Sequence, residues 1–132
     1  MIQRKQSLLM AMVVLIMGVA IWYFPLYSIG DDVIVFVQSQ WTTTVPVIIS
    51  FFLAFYAILQ YKARKKQFII NRLNMLINLA LVVYLVIKVF NTPDISTETG
   101  AIFPLLSVIL LSLANRLIMK DERLVRAADR IR

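Results

Sequence analysis

The chain has 132 residues, 61% of them hydrophobic and only 16% charged, with a net charge of +7. That balance is too apolar for an ordinary soluble domain and marks a single membrane-embedded unit spanning residues 1–132. With no cysteine and no histidine, the sequence excludes disulfides, thiol nucleophiles, Cys/His zinc sites and imidazole-based catalysis or haem ligation.

A hydrocarbon core about 30 Å thick needs about 20 apolar residues in a helix. Four stretches meet this, at about 7–26, 43–61, 73–90 and 101–119. The first, Ser7–Leu26, follows Arg4 and Lys5 and closes on Trp22, Tyr23, Phe24 and Tyr27, rings suited to headgroup depth. Arg4-Lys5 and the small-residue triplet Ser28-Ile29-Gly30 resemble parts of a cleavable signal peptide. The long apolar run and its ending in bulky aromatics and Pro25 favour a retained span. Residues 28–44 are irregular. Within them the β-branched run Val33–Val37 suits an extended piece along the membrane surface, or a plain connector dipping into the interface.

Trp41 precedes the second span, Pro46–Tyr61, which Thr43–Val45 bring to full length. Tyr61 marks its other boundary, with Tyr56 about a turn above. The third span is Leu73–Phe90. The segment Asn91–Gly100, with Pro93, reads as a short polar turn before the fourth span, Ala101–Met119. Pro46 and Pro104 are expected in the first turns of their helices, where a missing N–H costs little.

If the spans alternate, thirteen of the fourteen basic residues share one side. These are Arg4 and Lys5; Lys62, Arg64, Lys65, Lys66 and Arg72; and Arg116, Lys120, Arg123, Arg126, Arg130 and Arg132. The opposite side holds Lys88 with Asp31, Asp32, Asp94 and Glu98. Basic residues in short loops stay in the cytoplasm, so both termini and the middle loop are expected there. The expected fold is an all-α membrane protein: an antiparallel bundle of four transmembrane helices with a cytoplasmic amphipathic helical extension at the C-terminus, about 115–132.

Small residues recur at helical spacing: Ser7, Ala11 and Gly18; Ser50, Ala54 and Ala57; Ser107 and Ala114. Such stripes let backbones approach, within the bundle or against another membrane protein. Asn71, Asn74 and Asn78 form one polar face on the third helix, at the depth of Ser112, Asn115 and Arg116 on the fourth. Amides have no partners among lipid tails, so these groups read as an intramembrane polar clamp between the two helices, with a half-channel as the alternative. Lys88 is expected to snorkel outward or pair with Asp94, with a coupling charge as a further reading.

The tail from Lys120 to Arg132 reads as a basic amphipathic helix. Leu117, Leu124, Ala128 and Ile131 form its apolar stripe, and Glu122 and Asp129 lie within reach of Arg126. Lys62, Arg64, Lys65, Lys66, Arg116, Lys120, Arg123, Arg126 and Arg130 would form a positive interaction surface. Its partners would be anionic lipid headgroups, other integral membrane subunits, or a cytoplasmic protein or RNA.

The opening Met1-Ile2-Gln3-Arg4, the centre running through Lys65-Lys66 to Asn71-Arg72-Leu73, and above all the ending NRLIMKDERLVRAADRIR (Asn115–Arg132) resemble a known group. This is the small Bacteroidetes membrane proteins of the domain of unknown function 4293 family, and the likeness covers essentially the whole chain. It implies an inner-membrane location and supplies no activity. Neither a cofactor nor a small-molecule substrate is expected. The leading expectation is a non-enzymatic accessory or scaffolding subunit of a larger inner-membrane complex, such as protein export or respiration. The alternative is a small homo-oligomeric transporter or channel. An enzyme acting on lipid ranks third, because no nucleophile–base spacing is present.

Overall fold

The computed structural model describes residues 2–30 and 33–130. The side chain of Arg4, both residues of Asp31-Asp32, and Ile131 and Arg132 lie outside what is described, so expectations resting on them are left there. The chain runs α1 (Ile2–Tyr23), β1 (Pro25–Ile29), β2 (Val33–Phe36), α2 (Trp41–Leu59), α3 (Arg64–Asn91), β3 (Ile95–Thr97) and α4 (Ile102–Asp129). All four helices are long and apolar enough to cross a membrane.

Each helix packs on the one before it, and α4 closes the ring against α1. Side-chain contacts fix the directions. Gln67 reaches Ala57 while Asn74 reaches Ser50, so α2 and α3 run antiparallel. Arg64 meets Asp121 and Asn115 meets Met75, so α3 and α4 do too. Phe24 stacks edge-on against Phe103, which orients α1 against α4.

Burial follows helical spacing. On α1 the buried line is Gln6, Met10, Val13, Met17 and Ala20. Ser7, Ala11 and Gly18 sit beside that line, half-buried, with Gly18 against the Phe51 ring. On α2 and α4 the expected small residues do form the buried face: Ser50, Ala54 and Ala57, and Ser107 and Ala114. Less than half of each apolar helix is buried in the bundle. Leu8, Leu15, Phe52, Leu76, Val83 and Leu105 are among the large apolar side chains facing outward.

The all-α expectation needs a correction. A three-stranded antiparallel sheet, in the order β2-β1-β3, closes the end of the bundle opposite the chain termini. Ser28 lies opposite Ile34 on one side and Ser96 on the other. Pro25 ends α1 earlier than the expected Leu26, because a residue preceding proline is pushed out of helical geometry. Val33–Phe36 is extended as expected, but paired to β1 rather than running alone. The expected polar turn 91–100 contains β3 and a single 3-10 turn at Thr99–Ala101. Gly100 is fully enclosed there: an added Cβ would run into the Pro25 carbonyl, so only glycine fits.

Two helix boundaries also differ. α2 begins at Trp41, so Pro46 lies inside the helix rather than in its first turn, and the Thr42 carbonyl loses its usual N–H donor. α3 starts at Arg64, nine residues before the expected span, because the basic stretch continues the helix. The α2–α3 connection is only a turn at Gln60–Ala63, closed by Ala63 N–H donating to the Gln60 carbonyl at 2.9 Å.

Candidate functional site

Three groups of polar residues stand out, and their depth in the bundle separates them. The first is a buried amide stack. Gln67, Asn71, Asn74 and Asn78 occupy one face of α3 and are essentially inaccessible. Their partners lie on α1 and α2, not on α4. Asn74 Nδ2 donates to the Ser50 carbonyl at 3.0 Å, and Asn78 Nδ2 to Ser50 Oγ at 2.8 Å and to Asn74. Gln67 Nε2 donates to the Ala57 carbonyl at 3.1 Å, and Asn71 Nδ2 contacts the Met10 sulfur at 3.5 Å.

The expected polar face of α3 is buried, but its partners are on α1 and α2 rather than on α4. A helical face shows which residues point together, not which neighbour they meet. Asn115 faces Met75 instead, with Nδ2 at 3.8 Å from the sulfur, and Ser112 is half-buried beside it. Gln67 belongs to the layer and was missed, although it sits four residues before Asn71 and continues the same spacing. Asn71 Oδ1, Asn78 Oδ1 and Ser107 Oγ keep unmet hydrogen-bonding capacity.

The second group surrounds Lys88 near the sheet. Its ammonium donates to Tyr27 Oη at 2.5 Å and to Gln40 Oε1 at 2.8 Å, with Tyr84 Oη at 3.4 Å. It also lies 4.6 Å from the Tyr27 ring centroid. Lys88 thus neither snorkels free nor pairs with Asp94; among the described residues it meets no carboxylate within 4 Å. Aromatic hydroxyls and ring faces hold it instead. Tyr27, expected as a headgroup anchor, is instead buried in the central strand β1. Trp22, Tyr23 and Trp41 are exposed at the same end, where anchors were expected.

The third group is the basic end, where α1 starts, α2 meets α3, and α4 leaves the bundle. Arg64, Lys65 and Lys66 occupy the first turn of α3, with no acidic residue among them. Cations are electrostatically unfavourable at that positive helix end. Among the described residues only Arg64 is offset by a partner, Asp121 of α4 at 3.2 Å. With Lys62 and Glu122 these residues line one shallow cleft.

On the other side, Arg72, Arg116, Lys120 and Arg123 line a cleft of about 500 Å³ between α3 and α4, together with Phe68 and Asn115. The Arg72 guanidinium lies 5.0 Å from the Phe68 ring centroid. Beyond it α4 continues without a break. Arg123 to Arg130 are all exposed, and Arg126 pairs with Glu122 at 2.6 Å one turn back, the pairing its spacing suggested. Leu124 and Val125 are exposed on this projecting part, and Leu117 is half-buried at its root.

Chemically, the arrangement can bind anions and present a charged helix to a partner. Comparison with curated proteins and with solved structures returns no match. The profile of one family covers residues 2–131, so nearly every residue described above falls within it. The chain belongs to the family described as domain of unknown function (DUF4293).

Proposed function

We propose that the protein is a multi-pass component of a bacterial inner membrane, with both termini and the basic end in the cytoplasm. In that membrane it would act as a non-enzymatic accessory or scaffolding subunit of a larger assembly, such as one for protein export or respiration. Support for the membrane reading comes from the outward-facing apolar side chains on every helix. In water so continuous a belt would drive aggregation, whereas lipid solvates it. Support for the orientation comes from the gathering of cations at one end.

The observation that carries the scaffolding role is the projecting part of α4. The helix over Leu124–Arg130, basic and with Leu124 and Val125 exposed, is a surface without a partner among the described residues of its own chain. It continues the packed part of α4 without a break, with the Asp121–Arg64 ion pair at its root, so it is presented in a defined direction. Purification in mild detergent is expected to recover a stoichiometric membrane partner, lost on deletion of residues 121–132. Recovery of only a monomer or homo-oligomer from native membranes would overturn the role.

One observation favours a second reading, a small homo-oligomeric transporter or channel. The unpartnered atoms of Asn71, Asn78 and Ser107 lie in the bundle interior, where a polar solute could satisfy them. Solute flux in liposomes that disappears in Asn78→Leu would establish it; sealed liposomes would remove it.

A further inference from the structure

Two carboxylates of the basic end are already engaged, Asp121 with Arg64 and Glu122 with Arg126, and Asp129 lies outside the cleft on the exposed projecting helix. Arg72, Arg116, Lys120 and Arg123 therefore meet no carboxylate within 4 Å among the described residues, and no acidic residue lines their cleft. Four like charges around one hollow repel each other unless an anion sits among them. Arginine forks match phosphate oxygens in two-pronged hydrogen bonds, and three of the four cations are arginines.

Two further features narrow the ligand. Asn115, only 7% exposed, lines the same cleft; its Nδ2 faces the Met75 sulfur, while its Oδ1 is without a partner. That oxygen accepts hydrogen bonds and so suits a hydroxyl donor rather than a phosphate oxygen. An apolar groove of about 280 Å³ shares Arg72 and Met75 with the cleft and runs on along Leu76, Leu79 and Val108. It leads from the cations into the outward-facing apolar belt.

The geometry points to a one-to-one site for an anionic phospholipid between α3 and α4. Its phosphate lies among Arg72, Arg116, Lys120 and Arg123, an acyl chain follows the Met75–Leu79 groove, and a headgroup hydroxyl meets Asn115. The site rests on the membrane reading proposed above and is independent of any partner protein.

The test uses the full chain in detergent micelles doped with phosphatidylglycerol or phosphatidylcholine, with native mass spectrometry counting retained lipids. One phosphatidylglycerol is expected to stay bound and phosphatidylcholine is not. R72Q/R116Q should weaken retention roughly tenfold or more, at about a few-fold per lost cation. The charge-matched K65Q/K66Q, in the separate cleft at the α2–α3 turn, should leave it unchanged. L76W fills the groove without changing charge, so it should also lower retention even if the arginine variant proves unstable.

Equal loss in K65Q/K66Q would reduce the effect to diffuse charge and overturn the site. Full displacement by millimolar inorganic phosphate would assign the cleft to a soluble ligand and overturn the lipid. A chain that stays in solution without detergent would refute the membrane reading itself, a result distinct from a micelle-bound chain that retains no lipid.

Discussion

The two ends of the bundle are held together by different kinds of bond. At the sheet end, backbone ladders join the α1–α2 and α3–α4 connections, Ser28 Oγ and Ser96 Oγ lie 2.6 Å apart, and Gly30 N–H reaches the Asp94 carbonyl at 2.8 Å. Lys88 adds a side-chain knot beneath. At the basic end the described residues form one tight turn and one ion pair across helices, and α4 simply continues outward. Backbone pairing between distant segments locks one end, whereas the other is left with exposed charge. The comparison separates what keeps the bundle closed from what remains available to bind.

Gly100→Val should give the largest effect, because its new side chain must displace the Pro25 backbone; about 3 kcal/mol is expected for such overpacking. Thermal unfolding in detergent measures it, and an unchanged midpoint would mean the sheet end is not the stronger closure. Lys88→Met follows at about 2 kcal/mol, from losing charged hydrogen bonds to Tyr27 and Gln40. Asn78→Leu should cost about 1 kcal/mol, typical of buried polar contacts between membrane helices. A double-mutant cycle with Ser50→Ala should show positive coupling between them, and additivity would separate Asn78 from α2.

The smallest effect is expected at the basic end. Glu122→Ala removes an exposed pair one turn apart on the same helix, worth roughly 0.3–0.5 kcal/mol. A larger loss would make the projecting helix a structural brace and blur the contrast between the ends.

Most of the helical framework was legible because four apolar runs of sufficient length need no tertiary context. The sheet was not legible. Its strands are short, and β3 is Ile95-Ser96-Thr97, which in sequence resembles any polar turn. It pairs with β1 across more than sixty residues, and no local pattern announces that pairing. The start of α3 was missed because charged residues interrupt the apolar run without interrupting the helix.

At the site level, the asparagine face was readable and its partners were not. Lys88 shows a nearer miss. Tyr84 stands four residues before it, one turn away on the same face, so half of its aromatic setting was already present in the spacing. Tyr27 and Gln40 come from other elements and only the fold brings them there.

α4 has 28 residues and, after Pro104, neither glycine nor proline through to Arg130. At 1.5 Å per residue it is a rod about 42 Å long. Sharp bends in helices arise mainly at proline, at glycine–serine pairs or where the hydrogen-bond ladder is broken. Beyond Pro104 nothing of the first two kinds lies along this rod to absorb a twist. A push or turn applied at Arg126 would therefore travel as torque toward the far tip, where Gly100 is wedged under Pro25. The tail and the sheet are two handles on the same shaft.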